Sequence, residues 1–246
     1  MKAIEALWAL TLAVQAGGAS TAPARGRLAV VIDDFGHDFK TTPPDAEWWA
    51  LPFEITAAVM PESKRTRPAA AGAKAAGREV LIHMPFDPFL PLKLPAGELD
   101  PGDAEKAAKL LEKSLKQIPE AVGLNNHRSY LGTKNRPMMA WFMPRLKAAG
   151  LFFVDSRVSA KTVAYEEARK AGVKAAINDF FLEQGKPSEE FCLKWLATGA
   201  SVARRRGSAI VIGHHYHRTT LDCLKKGLPK LAEQGVDVVP VSALLR

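Results

Sequence analysis

The sequence predicts an α/β domain in which repeated strand–helix units build a parallel sheet. From Arg27 onward, short runs of β-branched residues alternate with longer stretches of helical periodicity, the layout typical of such units. Several of the helical stretches end at a glycine, a residue that commonly terminates helices. A length of 246 residues with 47% hydrophobic residues suits a folded domain with a large core and excludes a small stapled scaffold or a disordered chain.

The elements follow from this alternation in chain order. The predicted strands are 28–32, 53–59, 79–82, 121–124, 151–154, 173–177, 208–212 and 236–241. The predicted helices are 68–76, 103–117, 137–149, 160–171, 188–206 and 219–234. The proline-rich segments 38–51 and 85–101 are predicted to be long loops, and loops of that length in a compact domain are commonly functional.

The first 24 residues have the three-part layout of a secretory signal peptide. Lys2 provides the basic start, 6–14 is apolar, and 16–22 consists mainly of small residues. The apolar run is too short to cross a bilayer, and no later stretch is apolar enough. We therefore predict an exported, periplasmic protein whose mature part is one domain over 25–246, without a transmembrane span. The alternative for the leader is an ordinary amphipathic helix.

The net charge of +8 could indicate a nucleic acid, an anionic envelope polymer or a membrane surface as a neighbour. However, the basic clusters 64–67, 204–206 and 225–226 lie in different segments. Dispersed clusters of this kind usually solvate helix faces. Nucleic-acid binding therefore rests on charge alone and is not expected.

Two cysteines, Cys192 and Cys223, have a spacing that matches no zinc motif. In an exported protein they could form one disulfide bond. Their apolar helical surroundings suit two buried thiols equally well. The sequence leaves both alternatives open.

Polar residues terminate most of the predicted strands. They are Asp33 and Asp34, His83, Asn125, Asn126 and His127, Asp155, Ser156 and Arg157, Asn178 and Asp179, and His214. Each alone could be a helix cap or a turn residue, but the carboxyl ends of parallel strands share one face, where active sites form. Carboxylates and histidines from separate strands suit a divalent metal with an open coordination position. Because Asp33 and Asp34 cannot both point the same way from an extended strand, one could bind the metal while the other acts as a base.

Five motifs, taken in order, resemble the divergent polysaccharide deacetylase family, a branch of the carbohydrate esterases. They are VVIDDFG at 30–36, IHMP at 82–85, VGLNNH at 122–127, FVDSR at 153–157 and IVIGH at 210–214. The resemblance covers 27–246. It implies a distorted (β/α) barrel of the polysaccharide deacetylase type, with about seven to eight strands.

The resemblance also implies a function, that of a metal-dependent hydrolase that removes acetyl groups from an envelope or extracellular glycan. An acetylated glycan would be the substrate, and the cofactor would be a divalent metal, with zinc as the first choice. Asp34, His83 and His127 match the metal ligands. Asp33 resembles the catalytic base, and His214 resembles the general acid.

Supporting roles are predicted for neighbouring charged residues. Arg157 would keep Asp33 ionised through an ion pair, and Asp155 or Asp179 would orient His214 and raise its pKa.

The chain departs from the family pattern at three places. Arg128-Ser129-Tyr130 replaces Met-Gly-Ser, Glu183 replaces an aspartate, and His215-Tyr216-His217-Arg218 replaces a proline-containing loop. Asp87 stands where classical deacetylases, but not the divergent branch, have a second histidine. These departures concern the substrate pocket more than the metal. They keep open a second function, that of a catalytically weak or inactive deacetylase-fold protein that binds a glycan or a protein in the periplasm.

Overall fold

The structure is a computed structural model that describes residues 25–246, so the predicted signal peptide lies outside the described residues. Its strands are β1 (Gly26–Phe35), β2 (Thr56–Val59), β3 (Glu79–Pro85), β4 (Gly123–His127), β5 (Phe152–Asp155), β6 (Ala175–Ile177), β7 (Phe180–Phe181), β8 (Ser208–His214) and β9 (Val236–Val238). All of their pairings are parallel, in the order β6-β5-β4-β3-β2-β1-β8-β7. The ninth strand, β9, pairs with the first residues of β1. The predicted α/β class and the distorted deacetylase-type barrel are confirmed.

Helices lie between the strands and cover the outside of the barrel. They are α1 (Asp45–Trp49), α2 (Thr66–Ala75), α3 (Pro101–Gln117), α4 (Arg136–Ala148), α5 (Ala164–Lys170), α6 (Glu189–Arg206) and α7 (Arg218–Glu233). Short 3₁₀ turns occur at Gly132–Lys134 and Val241–Leu244. No helix in the described range is long and apolar enough to cross a membrane.

Polar side chains cap the first turns of α3, α4 and α6. Asp100 accepts a hydrogen bond from the backbone N–H of Asp103 at the start of α3, and Asn135 accepts one from Met138 at the start of α4. Each cap satisfies a backbone donor that has no partner within its helix. The helix α6 ends at Gly207, whose φ of 85° favours glycine because it has no Cβ.

Two short elements were missed by the sequence prediction. The helix α1 lies inside the predicted loop 38–51, and β7 is a strand of two residues. Neither is long enough to show a hydrophobic period. Both lie near the candidate site described below, and β7 pairs with β8.

Alternation along the strands divides the core into two layers. On β1, Leu28, Val30 and Ile32 pack against the helices, as part of the outer core. Ala29 and Val31 belong to a second cluster made of inward-facing strand residues. Val241 and Leu244 of the last 3₁₀ turn join this inner cluster. The lower part of the barrel is therefore a packed apolar core, not a channel.

The two cysteines form a disulfide bond that joins α6 to α7. Both are almost completely buried. Of the two alternatives that the sequence left open, the structure shows the bridge.

Candidate active site

The candidate site continues the inner layer of the barrel to its carboxyl-terminal edge. Side chains alternate across a strand, so the position after Val31 that again faces inward is Asp33. His83 follows Leu81 on β3 in the same way, and His214 follows Ile212 on β8. The strand register places Asp33 opposite His214 and His83 opposite Asn125. The predicted convergence therefore arises from direct strand pairing as well as from a shared edge.

Three atoms suited to a metal meet at this edge: Asp34 Oδ1, His83 Nε2 and His127 Nδ1. The distances are 3.2 Å between Asp34 and His83, 2.8 Å between Asp34 and His127, and 2.9 Å between the two histidines. All three side chains are buried. Asp34 has a φ of 69°, which breaks the strand alternation and lets its carboxylate join the same site as that of Asp33.

Hydrogen bonds fix which nitrogen of His83 can serve as a metal ligand at this meeting point. Asn125 Nδ2 donates to Asp33 Oδ1 over 2.7 Å, so Asn125 Oδ1 is left as an acceptor. His83 Nδ1 lies 2.8 Å from that oxygen and must donate to it. In the neutral ring, Nε2 then presents a lone pair to Asp34.

The donor set fits a divalent metal. Asp34 Oδ1 is a buried carboxylate oxygen without a well-aligned hydrogen bond among the described residues, although two imidazole nitrogens lie beside it. Burial opposes its ionisation, but the nearby His127 and His83 nitrogens hold the pKa of Asp34 well below its usual value. One carboxylate and two imidazoles are ligands that zinc accepts in sites with an open position. The three residues could hold such an ion.

Asp33 lies beside this group without being one of the three converging ligands. It is 2% exposed, and burial raises its pKa, against the opposing charges of His83 and His214. Its hydrogen-bond partner is Asn125, and the predicted ion pair with Arg157 is wrong. Arg157 is exposed, with a φ of 55°, because the chain turns away from the barrel after β5.

His214 is oriented by Glu183. Its Nδ1 lies 2.9 Å from Glu183 Oε2, and its backbone N–H donates to Oε1 of the same carboxylate. Burial alone would lower the pKa of His214, but Glu183 and the aspartates raise it to about 9. His214 is therefore protonated at neutral pH.

The predicted partners of His214, Asp155 and Asp179, are wrong because both carboxylates are engaged elsewhere. Asp155 accepts hydrogen bonds from the Thr162 hydroxyl and from backbone N–H groups of the loop and helix after β5. Asp179 accepts one from the backbone N–H of Ile210. Glu183 carried a signal in the sequence, since it stands where the family has an aspartate, but its place beside His214 depends on the short strand β7.

Asp87, at the position where the resemblance to classical deacetylases implies a second histidine, makes structural contacts. Its carboxylate accepts hydrogen bonds from the backbone N–H groups of Leu131 and Gly132. It thereby joins the loop after β3 to the loop after β4, next to His127.

A cavity of about 820 Å³ opens above the site. Asp33, Asp34, His83, His127 and His214 form part of its wall. Other lining residues are His37, Phe39, Phe89, Arg128, Ser156, Phe181 and Tyr216. The exposed fractions of Phe39 and Phe89 are 50% and 54%, so flat apolar faces surround the entrance.

Fold and site together define a deacetylase-type barrel with a candidate Asp-His-His centre at its carboxyl-terminal edge. Comparison with known proteins gives the particular family: the divergent polysaccharide deacetylase family matches residues 30–245, and the chain belongs to it. The resemblance inferred from the motifs is confirmed.

The chain is also similar to individual proteins. An uncharacterized protein of Haemophilus influenzae is 35% identical over 213 residues, covering 85% of this chain and 74% of the relative. The crystal structure of an uncharacterized protein, ATU2773, from Agrobacterium tumefaciens C58 has a TM-score of 0.79 at 22% identity, covering 91% of both chains. Peptidoglycan deacetylase PdaC from Bacillus subtilis has a TM-score of 0.52 at 15% identity, covering 91% of this chain and 92% of that one. The structural likenesses show the shared fold.

Proposed function

We propose that the protein is a metal-dependent hydrolase, with zinc as the first choice of metal, that removes acetyl groups from an envelope or extracellular glycan. One observation carries the proposal: Asp34, His83 and His127 meet within one cavity that is also lined by the buried carboxylate of Asp33 and by His214, whose Nδ1 lies 2.9 Å from Glu183. The family and the fold shared with a peptidoglycan deacetylase support the choice of an acetylated glycan.

The residues divide the chemistry of amide or ester hydrolysis among them. Asp34, His83 and His127 would hold the metal, which when bound polarises an acyl carbonyl and lowers the pKa of a water. Asp33 acts as the general base that accepts the proton of the attacking water. Asn125 holds one oxygen of Asp33 by a hydrogen bond, and the other oxygen, Oδ2, which lies 3.6 Å from His83 Nε2, would accept that proton.

His214 completes the reaction as the general acid. An amine or alkoxide is a poor leaving group until it is protonated. With its pKa at about 9, His214 carries a proton at neutral pH and can donate it from Nε2, because Nδ1 faces Glu183. The buried Glu183 carboxylate then stabilises the cationic ring before each turnover.

Export to the periplasm is part of the proposal. The disulfide between Cys192 and Cys223 is of a type that persists in oxidising compartments and is rare in the cytosol. Together with the predicted signal peptide, it supports a location where envelope glycans are accessible.

The test combines metal content with product release. Residues 25–246, purified with the disulfide intact, should retain about one zinc per chain and release acetate from N- or O-acetylated oligosaccharides. A chelator should abolish the release, and added zinc should restore it. Stoichiometric zinc without acetate from any acetylated glycan would contradict the proposed hydrolase.

The exposed aromatic rim favours a second candidate function, a barrel that binds glycans without cleaving them. Phe39 and Phe89 present faces on which sugar rings can stack. Glycan binding that is unaffected by the chelator, with no acetate released, would identify this function.

A further inference from the structure

Arg128 is an unpaired cation at the entrance of the cavity. It directly follows His127, lines the cavity and is exposed. Among the described residues no carboxylate lies within ion-pair distance of it. Arg65 and Arg218 instead pair with Asp45 and Glu47, whereas Arg157 and Arg204, like Arg128, form no ion pair among the described residues. Arg128 therefore keeps its full hydrogen-bonding capacity for a ligand.

The backbone holds Arg128 in a conformation that a free loop would rarely adopt. Arg128 and Ser129 have φ values of 46° and 62°, in the left-handed region that is costly for residues with a Cβ. Asn126 Nδ2 donates to the carbonyl of Arg128 over 3.1 Å, and the N–H of Ser129 donates to the carbonyl of Asp87 over 3.0 Å. These bonds fix the position from which the arginine side chain leaves the loop.

The side chain itself rests against an aromatic ring. The guanidinium carbon of Arg128 lies 5.6 Å from the centre of the Phe89 ring, within the range of a cation–π contact. The contact reduces the number of side-chain conformations and leaves the guanidinium edge exposed. A planar, exposed guanidinium edge matches the two oxygens of a carboxylate or a phosphate.

Within residues 25–246, no acidic side chain that lines the cavity entrance balances this charge. The carboxylates that line the cavity are Asp33 and Asp34, and both are buried within the candidate centre. The neighbouring loop adds a second exposed cation. This cation is Arg157, which lies between the cavity-lining residues Ser156 and Val158.

We propose that Arg128 selects an anionic glycan, one whose acetylated sugar or its direct neighbour carries a carboxylate or a phosphate. The proposal rests on the proposed function, since it assigns the substrate class of that same site. The position next to His127 keeps the anionic group close to the sugar whose acyl group enters the centre. Phe39 and Phe89 provide apolar contacts for any sugar, whereas Arg128 distinguishes a charged sugar from a neutral one.

The test compares three oligosaccharides of equal length: a neutral N-acetylated one, one with a carboxylate on alternate sugars, and one with a phosphate there. Dissociation constants for the zinc-loaded protein are measured at equilibrium, with acetate release followed in parallel. We expect at least one anionic oligosaccharide to bind roughly tenfold or more tightly than the neutral one, the size expected of charge-assisted hydrogen bonds. The difference should shrink in high salt, and the better anion identifies the group that is recognised.

The variant Arg128→Gln should remove this preference while keeping zinc stoichiometry. The matched control is Arg204→Gln, which removes an equal positive charge from the exposed surface of α6. This variant should keep the preference for anionic oligosaccharides. Equal binding of all three oligosaccharides, or a preference that survives Arg128→Gln, would overturn the inference. Failure of the proposed function looks different: no acetate is released from any oligosaccharide, whatever the binding preference.

Discussion

The inside of the barrel changes character between two successive inward-facing positions of the same strands. On β3, Leu81 belongs to the apolar inner cluster, and His83 belongs to the candidate centre. On β8, Ile212 likewise belongs to the apolar inner cluster, and His214 belongs to the candidate site. On β3 and β8 both positions belong to the same regular strand, so there the side chains decide which layer stabilises the fold and which could perform chemistry.

The lower layer also affects the upper one. It excludes water beneath the site, and charge interactions are stronger where water is absent. Burial raises the pKa of Asp33, and in the same surroundings Glu183 holds His214 as a cation. The apolar layer is therefore part of the reason why the polar layer can hold unusual protonation states.

Replacing His83 with alanine should have the largest effect on function. The substitution removes one of three converging ligand atoms, so we expect loss of stoichiometric zinc and of acetate release. Metal analysis of the purified variant, together with an acetate assay, measures both. Undiminished zinc in His83→Ala would exclude His83 from the metal site.

The matched change lies two residues earlier on the same face. Leu81→Ala should lower the free energy of unfolding by about 2–5 kcal/mol, because it leaves a cavity in a packed core. It should keep its zinc, because no ligand is touched. Denaturant titration of both variants tests the comparison: if Leu81→Ala loses zinc while still folded, the two layers are not separable.

Asp33→Asn should have the next largest effect on function. Asparagine has the size of aspartate, and its oxygen can still accept the hydrogen bond from Asn125, so the fold and the zinc content should be unchanged. Because the amide cannot accept the proton of water, turnover should fall by about 10²–10⁴-fold, the usual contribution of a general base. Zinc loss in this variant, with zinc retained in Asp34→Asn, would exchange the roles of the two aspartates.

Much of this two-layer arrangement could be predicted from the sequence. The polar strand ends and the order of the motifs predicted which residues converge, since parallel strands share an edge. The supporting contacts could not be predicted in this way. Arg157 occurs in a motif beside the site, but its left-handed backbone conformation directs the chain away from Asp33. A left-handed conformation at a single residue produces no periodic pattern in the sequence, so it could not be predicted.

The sequence pattern also could not predict contacts between elements that are distant in sequence. Glu183 reaches His214 because β7 pairs with β8, and a strand of two residues has no detectable alternation. Cys192 and Cys223 bond because α6 and α7 pack side by side. In both cases the decisive information is tertiary packing, which spacing along the chain does not encode.

The smallest expected effect concerns Glu183, which belongs to the upper layer without lining the cavity. Its carboxylate is a main reason why the pKa of His214 rises from 6.5 to about 9 despite burial. A general acid works only while protonated, so activity of the wild type should fall as pH rises through about 9. Glu183→Gln removes the charge but keeps the size, and burial then lowers the pKa of His214. The high-pH limb of kcat/KM should move toward neutral pH, with roughly tenfold lower activity near pH 7.5 if the pKa returns to about 6.5.

His217→Gln is the control, because His217 is a nearby titratable ring without a hydrogen bond to Glu183 among the described residues, and its loss should leave the limb in place. Stability should respond with the same sign: a histidine whose pKa is raised by folding stabilises the protein most fully below pH 6.5, and this contribution is lost as pH rises through 9. The decline in stability between those values should be steeper in the wild type than in Glu183→Gln. A limb that moves with His217→Gln but not with Glu183→Gln would assign the general acid to His217.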